Sequence, residues 1–236
     1  MGLAENLAAI HERIRGACAR AGRDAGGVQL VAVTKGHPPE RVNEVAALGV
    51  TLFGENRVQE AKAKIRNCSG RARWHLIGHL QSNKARDAVE LFEMIEGVDS
   101  LHLAHEINRR AEQAAKKMPV LLEVNIAGEA TKFGYKPEQL LTELTTLNQL
   151  RRLEIHGLMT IAPWTPEPEK ARPVFRRLRE LKEQCEQQLG APLPHLSMGM
   201  SGDFEVAIAE GATLVRIGTA LFGPRPTAKR VTEAFD

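Results

Sequence analysis

Residues 28–35, VQLVAVTK, form an apolar run that ends in a single lysine. A run of this kind, without alternating polar positions, is typical of a strand buried on both faces, as in parallel sheets covered by helices. Successive side chains of a strand point to opposite faces, so Val31, Val33 and Lys35 share one side of the predicted strand. The stretch therefore predicts a buried parallel strand with the amine of Lys35 at its tip.

Seven further apolar runs follow, and amphipathic or charged stretches separate them. The eight strand-like runs cover residues 28–35, 50–54, 73–78, 93–98, 119–126, 153–160, 195–200 and 213–218. Strands that alternate with helical patterns favour an α/β fold with a parallel sheet, and eight such units favour closure into a TIM-type (β/α)8 barrel. The amphipathic stretch at residues 3–21 predicts an extra N-terminal helix that packs on the barrel.

Length predicts a single domain. The 236 residues are close to the usual size of one barrel. We divide the sequence into an N-terminal helix at residues 1–24, the barrel at residues 25–223 and a C-terminal tail at residues 224–236.

Composition argues against several classes of protein. The net charge of +3 is too small to indicate nucleic-acid binding. No apolar run reaches the roughly 18 residues of a membrane span, and the first residues lack the basic segment of a signal peptide. Three widely spaced cysteines, Cys18, Cys68 and Cys185, predict reduced thiols in a cytoplasmic protein.

Lys35 is the first candidate for chemistry. Most lysines that follow a strand lie in a solvated loop, and this simple interpretation stays open. If Lys35 points into a partly apolar cavity, desolvation lowers the pKa of its amine. A neutral amine can attack an aldehyde and form a Schiff base.

Arg216 interrupts an apolar strand between Val215 and Ile217. One interpretation is a buried ion pair with a carboxylate such as Glu123 or Glu55. The other is that the guanidinium donates to an unprotonated pyridine nitrogen. A permanent cation there disfavours ring protonation and weakens the ring as an electron sink. The residues that follow Arg216 favour the second interpretation.

Two glycine-containing turns follow the last two predicted strands, Ser201-Gly202 after the seventh and Gly218-Thr219 after the eighth. Backbone N–H groups at such turns, together with hydroxyls, bind phosphate, and (β/α)8 barrels frequently place a phosphate there. In the alternative interpretation, Ser201 or Asp203 only caps a helix. An aldehyde with a phosphate and a ring nitrogen satisfies the lysine, the turns and the arginine together, and pyridoxal 5'-phosphate (PLP) is that molecule.

Other polar side chains near strand ends allow two interpretations each. Asn56 follows the second predicted strand, at the end where active sites of barrels gather, but with Gln59 it also fits a helix capping box. Met159 lies in the sixth strand, where barrel packing is the commoner role. His75 and His79 fall in a strand and a turn, so we expect no metal site there.

The motifs taken together resemble the pyridoxal phosphate homeostasis protein family. The matching segments span nearly the whole chain and read VAVTK at 31–35, FGEN at 53–56, WHLIG at 74–78, LQSNK at 80–84, HGLMT at 156–160, LSMGMSGD at 196–203 and VRIGT at 215–219. The resemblance implies a barrel of PLP fold type III, similar to the N-terminal domain of alanine racemases.

The resemblance also implies roles for single residues. Lys35 would carry the cofactor as a Schiff base, Arg216 would face the pyridine nitrogen, and Asn56 would lie near the ring. The implied cofactor-binding set, with the phosphate on Ser201, Gly218 and Thr219, is Lys35, Asn56, Met159, Ser197, Ser201, Gly202, Arg216, Gly218 and Thr219.

The chain departs from the family pattern in two places. Gly36 and His37 follow the lysine where relatives often have Thr or Gln, and His79 stands where relatives usually have proline. Neither change touches the Schiff-base chemistry, but either could alter access to the cofactor.

The function implied by the resemblance is binding and delivery of PLP in vitamin B6 homeostasis and amino acid balance. Racemases and decarboxylases of this fold type carry a second, β-rich domain, whereas the predicted barrel takes up nearly all of this sequence. We therefore expect no robust catalysis, a monomer, and transient contact with PLP-dependent apoenzymes. Two alternatives stay open: a small PLP-dependent enzyme of the racemase type, and a Schiff-base aldolase-like barrel that binds phosphate without the cofactor.

Overall fold

Eight parallel strands close into a barrel in a computed structural model that describes residues 2–68 and 72–224. Each strand pairs with its neighbours in chain order, and β8 pairs with β1 to close the ring. The strands are β1 Gln29–Val33, β2 Leu52–Glu55, β3 Arg73–Leu76, β4 Met94–Val98, β5 Met118–Glu123, β6 Leu153–Met159, β7 His195–Ser197 and β8 Leu214–Ile217. The predicted α/β class and (β/α)8 barrel are confirmed.

Helices cover the outside of the barrel. In the described residues they are α1 Leu3–Arg20, α2 Pro39–Ala47, α3 Val58–Ile65, α4 Ala85–Leu91, α5 Leu101–Gln113, α6 Pro137–Asn148, α7 Arg172–Leu189, α8 Phe204–Ala209 and α9 Thr219–Phe222. No helix in this part of the chain is long and apolar enough to span a bilayer.

The apolar residues form an inner and an outer layer. Val31 belongs to a small cluster inside the barrel with Leu121, Met159 and Leu214, whereas Ala32 packs in the large cluster between strands and helices. This alternation confirms the parity predicted for the first strand. Val31 therefore faces the interior of the barrel. We call the end of the barrel at which the parallel strands finish its mouth.

At the mouth, six of the eight predicted strands extend beyond the observed ones, whereas those that correspond to β2 and β4 do not. β1 ends at Val33, and Lys35 lies in the turn that follows rather than in the strand. The N–H of His37 donates to the carbonyl of Thr34 (3.0 Å), and Gly36 adopts a φ of +76°. This reversal ends the strand, because a positive φ at the third position of a turn suits glycine.

The N-terminal helix packs as its apolar stripe predicts. Leu7, Ile10, Ile14 and Cys18 of α1 are buried, and α1 lies against α8 and α9. The Asn6 side-chain amide donates to the carbonyl of Leu221 (2.9 Å). The helix therefore supports the last two βα units, which carry the candidate phosphate turns. Residues 225–236 of the predicted tail lie outside the described residues.

Candidate functional site

The lysine turn and the Gly218 turn are neighbours at the mouth of the barrel. Parallel pairing aligns Ala32 of β1 with Ile217 of β8, so Val33 and Gly218 are next to each other. A Cβ atom on Gly218 would lie 3.3 Å from the Val33 carbonyl oxygen. Lys35, two residues further along and half-buried, therefore lies at the level of the turn that begins α9.

The two predicted phosphate turns touch each other. The Ser201 hydroxyl accepts a hydrogen bond from the backbone N–H of Ala220 (3.3 Å). Within the described residues, the backbone N–H groups of Ser201, Gly202 and Thr219 have no acceptor. Gly202 and Thr219 are exposed. The arrangement offers unsatisfied donors from two strand ends to one anion.

Arg216 is buried in the wall of the barrel and bonded along its guanidinium. One terminal nitrogen donates to the Ser197 hydroxyl (2.6 Å) and the other to the carbonyl of Thr160 (2.8 Å). Burial lowers the pKa of Arg216, and the nearby Glu96 and Glu123 carboxylates oppose that shift. Its direct partners are thus a hydroxyl and a carbonyl.

Of the two ion-pair partners considered for Arg216, one is wrong. The Glu55 carboxylate lies behind β2, where it accepts from the Lys64 amine and the Thr34 hydroxyl. Side chains of a strand alternate between its faces, and that of Glu55 points away from the barrel interior. Glu123 does lie close enough to Arg216 to interact with it electrostatically.

A chain of hydrogen bonds that runs through Ser197, Glu96 and His75 fixes the position of Arg216. The Ser197 hydroxyl donates to Glu96 (2.5 Å), and Glu96 also lies 2.7 Å from Nδ1 of His75. Burial works against ionisation of Glu96, but His75, Arg216 and Ser197 together hold its pKa below the usual range. The Ser197 hydroxyl is thus engaged on both sides by protein groups, and its contact with a cofactor stays a prediction.

Sequence reasoning missed Glu96, although a signal for it exists. Glu96 interrupts the apolar strand β4 as Arg216 interrupts β8, and Glu123 is the last residue of β5. Acidic residues are rarely fully buried unless they are paired. Charged residues in separate apolar strands of one predicted barrel therefore indicate interior partners, and this pattern would have added Glu96 to Glu123, which was already considered as a partner of Arg216.

Among the buried charged groups near Arg216, Glu123 has the least complete hydrogen bonding. It is buried, and within the described residues its Oε2 atom has no hydrogen-bond partner. Desolvation and the charge of Asp99 raise the pKa of Glu123 to about 7, against the attraction of Arg216. Glu123 borders a cavity of about 210 Å³ that is lined by Asn56, Ile77, Gly78, His79, Val124, Asn125, Thr131, Lys132, Phe133 and Ile161.

Asn56 directly follows β2 and is half-buried in the lining of that cavity. The capping interpretation of Asn56 is wrong, because α3 begins at Val58 and Arg57 occupies its cap position. Met159 is fully buried in the inner cluster, as expected of a packing residue. Its contact with a cofactor, like that of Asn56, stays a prediction.

The capping interpretation of the Ser201 turn is also not what is observed. Asp203 occupies the cap position of α8, but its side chain makes no capping hydrogen bond to that helix. Its carboxylate instead accepts from the N–H of Met200 (2.6 Å), and the Ser201 hydroxyl reaches α9. Both side chains therefore shape the turn that precedes α8.

His37 and His79, the histidines at the two places where the chain departs from the family pattern, both stack on aromatic rings. His37 is buried against Phe222, with ring centroids 4.7 Å apart. His79 stacks on Phe133 at 3.6 Å, and its Nδ1 lies 2.8 Å from Asp99. Across the described ranges, no group of three potential ligand side chains could hold a metal ion.

Known proteins match this chain over nearly its full length. The family model for the alanine racemase N-terminal domain matches residues 6–226. A pyridoxal phosphate homeostasis protein of Aquifex aeolicus is 45% identical over 226 residues, which cover 95% of this chain and 99% of that protein. One from Pseudomonas aeruginosa is 44% identical over 94% of this chain and 96% of that protein.

Solved structures agree. PipY of Synechococcus elongatus PCC7942 was solved with PLP bound and is 41% identical to this chain. The match covers 94% of this chain and 100% of the PipY chain, with a TM-score of 0.83. An alanine racemase of Clostridium difficile shares the fold, with a TM-score of 0.74 at 18% identity. By these matches the chain belongs to the pyridoxal phosphate homeostasis protein family, within the wider group of alanine racemase N-terminal domains.

Proposed function

We propose that this protein binds PLP at the mouth of the barrel and serves PLP homeostasis. In this proposal the Lys35 amine attacks the aldehyde carbon, a C=N bond forms, and the aldehyde oxygen leaves as water. The relatives named above are homeostasis proteins, and the related PipY was solved with PLP. Lys35, Asn56 and Arg216 would hold the aldehyde and ring end of the molecule.

The observation that carries the proposal is the pair of touching turns beside the lysine turn. Three backbone N–H groups, of Ser201, Gly202 and Thr219, are unsatisfied within the described residues. A phosphate dianion supplies acceptors for all three, and charge-assisted hydrogen bonds of this kind are the strong ones. The donor set therefore fits the phosphate end of PLP.

Arg216 supports a role in binding rather than in catalysis. A guanidinium that is held in the wall by Ser197 and Thr160 stays cationic at neutral pH. If it faces the pyridine nitrogen, it disfavours protonation of the ring, and an unprotonated ring is a poor electron sink. We propose that the protein carries PLP without robust turnover and delivers it to apoenzymes through transient contacts in the cytoplasm.

Replacement of the lysine tests the proposal. Lys35→Ala should keep the fold, because Lys35 lies in a turn after β1, but it should abolish the covalent adduct at this position. Purified protein is incubated with PLP and reduced with borohydride, and the modified peptide is mapped by mass spectrometry. Lys84→Ala is the matched control, since Lys84 lines a second cavity at the mouth. A cofactor found on another lysine of the wild-type protein would reject Lys35.

Assays with amino acids test the absence of robust catalysis. PLP-loaded protein is incubated with single amino acids, and the products are separated by chiral chromatography. We expect no racemisation or deamination above that of free PLP. Turnover that depends on Lys35 would favour the enzyme hypothesis instead.

A further inference from the structure

A buried polar cluster lies directly behind the lysine turn, on the outer side of the barrel wall. Thr34, Glu55 and Lys64 are buried, and Glu60 is half-buried. The Lys64 amine donates to Glu55 and, at 3.1 Å, to Glu60, while the Thr34 hydroxyl donates to Glu55. We name these four residues, Thr34, Glu55, Glu60 and Lys64, the rear cluster.

The rear cluster holds the peptide groups on both sides of Lys35. The Lys64 amine donates to the carbonyl of Thr34 (2.7 Å), and Glu60 accepts from the N–H of Gly36 (2.6 Å). The same Thr34 carbonyl also accepts from the N–H of His37, which closes the turn (3.0 Å). The backbone of Lys35 is therefore fixed between two bonded neighbours, while its side chain remains unbonded to the cluster.

Stability alone does not explain a cluster of this kind. A buried ion pair loses hydration that its Coulomb attraction often only just compensates, so apolar residues of similar volume would stabilise the wall equally well. Desolvation raises the pKa of Glu55, and its Oε2 has no partner within the described residues. What the charged groups provide is geometry, since they bond to two particular backbone atoms of one turn.

We propose that Lys64 is a positioning residue. Together with Glu55 and Glu60, it holds the turn that contains Lys35 so that the Lys35 amine can attack the PLP aldehyde. This inference rests on the proposed function, in which Lys35 is the residue that forms the Schiff base. A fixed amine that is already directed at the aldehyde reacts faster than one on a mobile turn, because less orientational freedom is lost on the way to the transition state.

The test separates attack on the aldehyde from binding of the rest of the ligand. Pyridoxine 5'-phosphate has the ring and the phosphate of PLP but an alcohol in place of the aldehyde, so it measures non-covalent binding alone. The variants are the double change Lys64→Met with Glu55→Gln, which removes both charges of the fully buried pair, and Glu60→Ala, which removes the contacts to Gly36 and to the Lys64 amine while Lys64 keeps its bonds to Glu55 and Thr34. Lys62→Met is the matched control, because Lys62 lies on the same helix and bonds to Asp87 (3.0 Å).

We expect Schiff-base formation with PLP, followed by absorbance in stopped flow, to slow at least tenfold in the double variant. Glu60→Ala should slow it severalfold. Affinity for pyridoxine 5'-phosphate should stay within twofold in both, and Lys62→Met should match wild type in both measurements. Borohydride trapping at Lys35 in wild type is the separate check on the proposed function.

Two results would overturn the inference. An unchanged rate in folded variants would mean that the rear cluster does not position Lys35. An equal loss of pyridoxine 5'-phosphate affinity and reaction rate, with a lower melting temperature, would mean that the cluster only supports the wall. If wild type forms no adduct at Lys35, the proposed function fails before the variants are compared.

Discussion

Single charged side chains inside an apolar barrel decide the character of this site. Arg216 bonds to Ser197 and Thr160, and Glu96 fixes it from behind. A planar guanidinium can be held along one edge and still present its remaining N–H donors, which a lysine ammonium cannot do in the same fixed geometry. At the residue scale, the wall therefore orients a cation without neutralising it by direct contact with a carboxylate.

Arg216→Gln should weaken PLP binding by tenfold or more. Glutamine keeps a polar amide in the wall, but it is shorter and removes the cation and the charge-assisted hydrogen bond, which contributes on the order of 1.5–3 kcal/mol. Arg216→Glu is less informative, because it would place another acid beside Glu96 and Glu123.

The measurement is a titration with PLP, together with the absorption spectrum of the bound form, which should shift as the ring nitrogen gains a proton. Arg57→Gln, at an exposed arginine near the mouth, is the control. Unchanged affinity and spectrum would make Arg216 a structural member of the wall only.

At the scale of elements, the strand ends at β7 and β8 carry the turns of the proposed anion site, and the adjoining helices hold them. α9 has only four residues, so its role is to arrange one turn rather than to provide a long helix dipole. The contact between the Ser201 hydroxyl and Ala220 links the two turns into one surface.

Ser201→Ala combined with Thr219→Ala should cost at least tenfold in affinity for PLP, because two hydroxyl contacts to a dianion are lost. Binding of pyridoxal, which lacks the phosphate, should barely change. Both ligands are titrated against both proteins by fluorescence. An equal loss for the two ligands would show that these hydroxyls shape the pocket rather than hold the phosphate.

Strand β6 contains a glycine, Gly157, that no larger residue can replace without a shift of the neighbouring strand β7. Gly157 has a φ of +156° next to a register shift between β5 and β6, and a Cβ atom there would lie 1.9 Å from the His195 carbonyl oxygen. Gly157→Ala should therefore destabilise the protein by about 3 kcal/mol or more, since β7 must move away.

Gly190→Ala is the matched control for Gly157→Ala. Gly190 also has a positive φ, +65°, but a Cβ atom there meets nothing within 4 Å, so only the left-handed backbone is penalised, by about 1 kcal/mol. Denaturant unfolding measures both variants. Equal losses would mean that β6 and β7 adjust without cost to the added methyl group.

For the whole molecule, the buried carboxyl of Glu123, whose Oε2 atom has no hydrogen-bond partner within the described residues, links folding to pH. Burial raises the pKa of Glu123 from 4.5 to about 7 in the folded protein. A carboxyl with a raised folded pKa stabilises the fold fully below pH 4.5, and that contribution is lost as pH rises through 7. The shift corresponds to roughly 3 kcal/mol between these limits.

We expect cofactor-free wild type to lose stability between pH 5 and pH 8 relative to Glu123→Gln, which has the same shape and cannot ionise. The free energy of unfolding in denaturant is measured for both proteins at several pH values, so that all other titrating groups cancel in the difference. Parallel pH profiles would show that Glu123 is already ionised at pH 5 and does not titrate with a raised pKa.

Local patterns determined the architecture and several residues of the candidate site. All eight predicted strands overlap observed ones, because the apolar runs that alternate with amphipathic stretches leave few other ways to bury their surface. Lys35, the two glycine turns and Arg216 stood out as single departures from those patterns, and all of them lie at or beside the mouth.

Only the tertiary structure decided which polar groups meet. Glu96 and Ser197 are 101 positions apart, and their contact depends on the closure and register of the barrel. Lys64 is one of two lysines along α3, yet the packing of that helix against β2 places its amine on the carbonyl beside Lys35. Pairings of this kind arise from side chains on separate elements, so no local period or spacing could reveal them.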